Sequence, residues 1–166
     1  MHFQDFDNQV ADLQAQFPAD CFVAVNSEAI QPFIEVKPEA LVDIASYLHQ
    51  SPKHFMDFLH LISPIDNGPE VGTIEILYHL SSLPLEKSII LKVTIPRDPE
   101  NAKIHSVSSL WKTADWHERE AFDMMGIRFL NHPDLRRILM PADWVGHPLR
   151  KDYKEPEFYH GIQVKY

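Results

Sequence analysis

Ile74-Glu75-Ile76-Leu77-Tyr78-His79-Leu80 and Ile89-Ile90-Leu91-Lys92-Val93-Thr94-Ile95 are the stretches whose reading decides the fold. In the first, Ile74, Ile76, Tyr78 and Leu80 alternate with Glu75, Leu77 and His79. In the second, Ile89, Leu91, Val93 and Ile95 alternate with Ile90, Lys92 and Thr94. A period of two sends one set to each side of a strand, so both stretches read as strands with one apolar face. The short connection between them allows only an antiparallel return. Phe55 to Ile62 reads as a third strand that extends the hairpin to a meander, and Pro64-Ile65-Asp66-Asn67-Gly68-Pro69 reads as the turn cluster between.

Outward from the meander the period changes to that of helices. Phe3, Phe6, Val10, Leu13 and Phe17 recur at steps of three and four, which predicts an amphipathic helix ending near Pro18. Cys21 to Val25 is a short apolar strand. Pro38 fits a first helical turn, and Leu41, Ile44, Ala45 and Leu48 form one apolar face of a second helix that stops before Pro52. A third helix is expected from Val107 to Met125, with Gly126 as its stop. The fold class expected is α/β (α+β): a largely antiparallel sheet with helices packed on one face, over residues 1–126. After Gly126 neither period holds. Residues 127–166 carry Pro133, Pro141, Pro148 and Pro156, with Trp144, Tyr153, Phe158 and Tyr159 spaced between them. Such a segment cannot bury a core of its own. Its aromatics mark it as an extended arm that orders against a partner.

Charge and composition exclude several classes. The net charge is −9 over 166 residues, and residues 1–116 hold 16 acidic against 7 basic side chains. An acidic body lacks the basic field by which nucleic-acid binders displace counterions. Residues 117–154 are close to neutral and arginine-rich, and Arg and Trp are residues that interfaces favour. No apolar run approaches the ~18–20 residues a membrane span needs. No Lys or Arg precedes Lys37, which argues against a secretory or transit peptide. The lone Cys21 cannot hold an iron–sulfur cluster and reads as core packing.

The line His117-Glu118-Arg119-Glu120-Ala121-Phe122-Asp123-Met124-Met125-Gly126-Ile127-Arg128-Phe129 carries the chemistry. On a helical wheel counted from Val107, Glu118 falls about 20° from the centre of the stripe formed by Leu110, Trp111, Ala114, Ala121, Phe122 and Met125. Glu120 and Asp123 point to the opposite side. A carboxylate on a buried face requires a partner, so Glu118 is expected to meet a cation from Arg128, Arg136 or Arg137, or backbone amides. His117, Glu120 and Asp123 invite a metal reading, but they fan across about 120° of helix and form no His-Glu-x-x-His pair. His132 and His147, each followed by proline, read as turn starts.

Downstream run Asn131-His132-Pro133-Asp134-Leu135-Arg136-Arg137-Ile138-Leu139-Met140 and Pro141-Ala142-Asp143-Trp144-Val145-Gly146-His147-Pro148-Leu149-Arg150-Lys151-Asp152-Tyr153. With Glu118-Arg119-Glu120-x-x-Asp123-x-x-Gly126-Ile127-x-Phe129, they closely resemble the signature of the C-subunit family of NADH-quinone oxidoreductase, the small hydrophilic-arm subunit of respiratory complex I, in its unfused bacterial form. The resemblance covers about 118–153, less than a quarter of the chain, and is dense and ordered.

The resemblance implies a non-catalytic scaffold subunit of the hydrophilic arm. Such a subunit binds no flavin, metal or iron–sulfur cluster itself, although its complex uses FMN, iron–sulfur clusters, NADH and quinone. Its implied partners are the quinone-site subunit and the terminal iron–sulfur subunit. Its implied place is peripheral, at the cytoplasmic side of the bacterial cell membrane, without inserting in the bilayer. The signature residues, Glu118, Arg119, Glu120, Asp123, Gly126, Phe129, His132, Pro133, Arg136, Arg137, Trp144, Gly146, His147, Pro148, Arg150, Lys151 and Tyr153, form the expected interface, with residues 127–166 as a docking arm. Competing readings are the equivalent subunit of a membrane-bound hydrogenase or ferredoxin-linked complex, a free-standing binding module, and an independent metal-dependent hydrolase. The hydrolase reading lacks a phosphate loop and a nucleophile with its base.

Overall fold

The computed structural model describes residues 5–164. The chain begins with helix α1 (Phe6–Gln16) and strands β1 (Phe22–Asn26) and β2 (Phe33–Val36). Helix α2 (Leu41–Gln50) and the meander β3 (Phe58–Asp66), β4 (Thr73–Ser82) and β5 (Lys87–Pro96) follow. Strand β6 (Lys103–His105), helix α3 (Lys112–Met125) and strand β7 (Arg128–Leu130) complete the body. Near the end lie two two-residue strands, β8 (Phe158–Tyr159) and β9 (Ile162–Gln163). Of the apolar positions read for the first helix, Phe3 lies outside the described residues.

Five strands pair in the order β1-β2-β5-β4-β3. All neighbours are antiparallel except β2 and β5, which run parallel with Ile34 opposite Leu91. In β4 and β5, Ile74, Ile76, Tyr78 and Leu80 stand opposite Ile95, Val93, Leu91 and Ile89, and all of them are buried. That face carries the core. Phe6 and Leu13 of α1, Leu41, Ile44, Ala45 and Leu48 of α2, and Ala114, Ala121, Met124 and Met125 of α3 join the same apolar cluster. The expected mixed fold, with helices on one face of a mostly antiparallel sheet, is the fold found.

Several boundaries differ from the sequence reading. Strand β3 starts at Phe58 and continues through Pro64 to Asp66. Pro64 is tolerated because β3 is an edge strand, where a missing N–H costs no ladder bond. Pro38 opens a short 3-10 turn that leads directly into α2. Helix α3 begins at Lys112 rather than Val107, and Trp111 before it is extended, with φ −126° and ψ 120°. Side chains take over the backbone of that segment: Val107 N–H donates to Glu118 at 2.7 Å and Ser108 N–H to Ser106 Oγ at 3.1 Å. Polar side chains close to the main chain compete with helix in this way. Strand β2 and the parallel pair β6–β7 were absent from the sequence reading. At three or four residues each, they are too short to show a period.

Candidate functional site: a pinned C-terminal arm

Helix α3 ends at Gly126 in the left-handed conformation, φ 71°. A Cβ there would come within 2.6 Å of the His147 imidazole. Gly126 therefore both stops the helix and lets the arm cross it. Either demand alone favours glycine; together they leave little alternative.

Asp123 receives the arm. Its side chain is fully buried, and Oδ2 accepts the consecutive N–H groups of Ile138, Leu139 and Met140 at 3.0, 2.7 and 2.8 Å. Oδ1 accepts Arg137 Nη1 at 2.6 Å. Burial alone would raise this carboxyl, but the Met140, Leu139 and Ile138 amides and Arg137 outweigh it and hold Asp123 below the usual carboxylate range. Arg137 also donates through Nη2 to the carbonyls of Trp144 and Gly146, at 3.0 and 2.9 Å, so one guanidinium closes the loop back onto its own anchor. His147 Nδ1 lies 2.9 Å from the Asp123 carbonyl, which can only accept, so Nδ1 carries the proton. Leu149 N–H donates to the Met124 carbonyl at 3.0 Å, and Arg150 bonds the Met125 and Arg97 carbonyls. The carbonyls that a helix end leaves unpaired are taken up by the arm.

A second anchor lies at the end of the sheet. Asp66 accepts Arg97 through Nε at 2.7 Å and Nη2 at 3.0 Å, and also the N–H of Gly68 and of Lys151. Burial pushes its carboxyl up, but Arg97 and the two amides prevail and hold it well below the ordinary value. Arg97 pairs with Asp152 as well. Neither Asp66 nor Arg97 was singled out from the sequence. The Asp-Asn-Gly turn was the only local signal, and it pointed to a turn rather than to an arm bound many residues away.

Glu118 is fully buried, as its wheel position predicted. Its partners are the Ser106 hydroxyl at 2.5 Å and the Val107 amide at 2.7 Å. Of the partners expected for it, a backbone amide is found and an arginine is not: among the described residues no arginine bonds Glu118. His132 Nε2 lies 3.9 Å from it. Asp134 N–H donates to His132 Nδ1 at 3.0 Å, so Nε2 carries the proton and donates to the Asp115 carbonyl at 3.1 Å. Desolvation raises the Glu118 carboxyl to about 7, against the lowering by Ser106 and Val107. Asp123 does lie across the helix from Glu118, but that side faces the arm rather than water. Glu120 remains exposed.

The remaining signature residues fall in three places. Arg119 donates to the carbonyls of Arg136 and Arg137 and stacks over exposed Trp116 at 5.4 Å. Phe129 is buried in β7, paired with Ile104 of β6. Arg136 is exposed and paired with Asp134, next to the exposed Pro133. Trp144 Nε1 donates to Tyr153 OH at 2.9 Å, and its ring lies 5.0 Å from that of Tyr159. Tyr153 packs over Gly146, whose hypothetical Cβ would lie 3.0 Å from the phenol ring. Pro148 is half-buried and Lys151 exposed. Trp144, Tyr153 and Tyr159 thus hold one another, while Leu139, Val145, Leu149 and Phe158 stand exposed. Among the described residues no group of three His, Cys, Asp or Glu side chains converges as for a metal ion.

Comparison with known proteins adds the following. The family described as "Respiratory-chain NADH dehydrogenase, 30 Kd subunit" matches residues 34–159. The chain is 44% identical over 149 residues to the NADH-quinone oxidoreductase C-subunit of Chlorobium phaeobacteroides, covering 89% of this chain and 88% of that one. It is 41% identical over 148 residues to the C-subunit of Chloroherpeton thalassium, covering 89% of this chain and 60% of that longer one. Among solved structures, a chain of the archaeal membrane-bound sulfane sulfur reductase superposes with a TM-score of 0.69 at 22% identity, covering 91% of this chain and 86% of that chain. That likeness is one of fold.

Proposed function

Because the chain belongs to the respiratory-chain NADH dehydrogenase 30 Kd subunit family, the C-subunit family of NADH-quinone oxidoreductase, we propose that it is a non-catalytic scaffold of that complex's hydrophilic arm. In this reading it packs on the quinone-site subunit and the terminal iron–sulfur subunit, peripheral to the membrane on its cytoplasmic side. FMN, iron–sulfur clusters, NADH and quinone are then handled by its neighbours. The observation that carries the reading is where the signature residues go. Asp123, Gly126, Arg137, Gly146 and His147 are spent on holding one surface segment in a fixed path. They line no closed pocket with a nucleophile and its base. A pinned, proline-punctuated arm with Leu139, Val145 and Leu149 outward is a preorganised contact surface, and binding it spends little backbone ordering entropy.

The test is a tagged pull-down from gently solubilised membranes. Full-length chain should recover the quinone-site and iron–sulfur subunits, and a chain ending after Phe129 should recover neither. Normal incorporation of the shortened chain, with normal quinone reduction, would move docking to the globular body.

A further inference from the structure

The arm carries three signature arginines, Arg136, Arg137 and Arg150, and the fold holds them differently. Arg137 is bound to Asp123 and two carbonyls, and Arg136 stands exposed to water, bonded to the equally exposed Asp134 through Nε alone. Arg150 differs. Nε donates to the Met125 carbonyl and Nη1 to the Arg97 carbonyl, and no carboxylate among the described residues lies within ion-pair reach. A guanidinium has five N–H groups. The two bonds made leave both hydrogens of Nη2 and one of Nη1, which is the end-on fork that grips a carboxylate with two parallel bonds.

Arg150 lines an open cleft of about 570 Å³ between the arm and the end of the sheet, walled by Pro69, Gly72, Pro99, Gly126 and His147. Gly72 has open space where its Cβ would stand. The acids of the lining already have donors of their own. Asp152 takes Arg97, and Asp98 accepts the amides of Glu100 and Asn101 and the Asn101 side chain. Burial and the nearby Arg97 work against the charge on Arg150, while Asp66 and Asp152, each already paired with Arg97, favour it. A cation partly stripped of water, with its fork unused, is what an incoming carboxylate relieves.

We infer that this cleft is a receptor site for one carboxylate side chain, Asp or Glu, of a neighbouring protein in the complex, gripped end-on by Arg150. The inference rests on the docking role proposed above. It adds which residue of the arm makes the charged contact and what chemistry meets it. The cleft is large enough for a whole acidic side chain, and an isolated carboxylate ion would leave most of it to water.

The test begins with the wild-type full chain, 15N-labelled at arginine, titrated with acetate against chloride at equal ionic strength. Acetate should shift the Arg150 side-chain signals saturably in the millimolar range, and chloride should not. The Arg150 signal is identified by its absence in Arg150→Lys. In the membrane pull-down, Arg150→Gln and Arg150→Lys, each checked for an unchanged amide spectrum, should recover several-fold less quinone-site subunit. Equal shifts with acetate and chloride, or none, would overturn the site without reference to any variant. So would normal recovery by both folded variants. Succinate binding ten-fold tighter than acetate, with assembly intact in both variants, would make the occupant a free dicarboxylic acid and overturn the contact with a neighbour. If Arg150→Gln assembles normally while a full-length chain with Leu139, Val145 and Leu149 each changed to Asp, its amide spectrum otherwise unchanged, does not, this inference falls and the docking role stands. If the chain ending after Phe129 assembles, the docking role falls with it.

Discussion

Glu118 and Asp123 are both fully buried on α3, yet their surroundings push them in opposite directions. Asp123 collects three amides and a guanidinium, enough to overcome desolvation. Glu118 has one amide and one hydroxyl, and desolvation wins. For Asp123→Ala, the stranded Arg137 and three orphaned amides should cost ~3–5 kcal/mol, the usual penalty for breaking a buried pair. In a chain of this size that lowers the melting temperature by on the order of 10 °C, which a thermal melt would read. Glu118 makes a prediction of opposite sign in pH. Its folded value, about 7, lies above the unfolded value near 4.5. Its contribution is therefore complete below about 4.5 and is lost as pH rises through about 7, a change of about 3 kcal/mol. Glu118→Gln should flatten that slope, and unfolding by urea at pH 5, 6, 7 and 8 would measure it. A slope unchanged by the substitution would mean that Glu118 is ionised throughout. The burial of Glu118 was legible because the apolar stripe around it is local. Its partners were not, because Ser106 and Val107 reach it only once the chain before α3 departs from helix.

At the scale of elements, the junction of α3 with the arm turns on Gly126. Two costs overlap there, the left-handed backbone and the space already filled by His147. Two substitutions separate them. Asn tolerates the left-handed region far better than Ala does, but both carry a Cβ. If backbone strain dominated, Gly126→Asn would be nearly neutral and Gly126→Ala would cost ~1–2 kcal/mol. The 2.6 Å approach to His147 leads us to expect that both are destabilising. Amide exchange should quicken at Leu149 in both variants, because His147 must move and Leu149 N–H is tied to the Met124 carbonyl. The stop itself was plain in the sequence as a glycine after an apolar-periodic run. The meander was equally plain, since β4 and β5 each repeat a two-residue period over seven residues, Ile74 to Leu80 and Ile89 to Ile95. What escaped were the parallel pairings of β2 with β5 and β6 with β7. Parallel partners lie far apart in the chain and leave no turn between them to read.

Across the whole molecule, two ionised aspartates tie the arm to the body: Asp123 at the end of α3 and Asp66 at the end of β3. The sequence showed an aperiodic, aromatic, arginine-rich tail, and from that it read as an extended arm. It could not show the arm folded back, because each bond that does so joins residues far apart in the chain, as Lys151 N–H to Asp66 does. Those two tethers predict how acid should take the molecule apart. Both carboxyls sit below their ordinary range, so the stability they supply is present above the unfolded value near 4 and is lost as pH falls through their folded values. Glu118 works the other way and is already protonated there, so the face beneath it gains nothing further to lose. The meander core is apolar: Ile74, Ile76, Tyr78, Leu80, Ile89, Leu91, Val93 and Ile95 have no charge for acid to remove. Acid should therefore release the arm before the sheet. Measured by amide exchange as pH is lowered from 5 to 2, Ile138, Leu139, Met140 and Lys151 should lose protection while residues 74–80 and 89–95 keep theirs. Asp66→Asn should move the release of Lys151 to higher pH, since one tether is weakened before any proton arrives. Simultaneous loss of protection in arm and sheet would show instead that the arm and the body unfold as one unit.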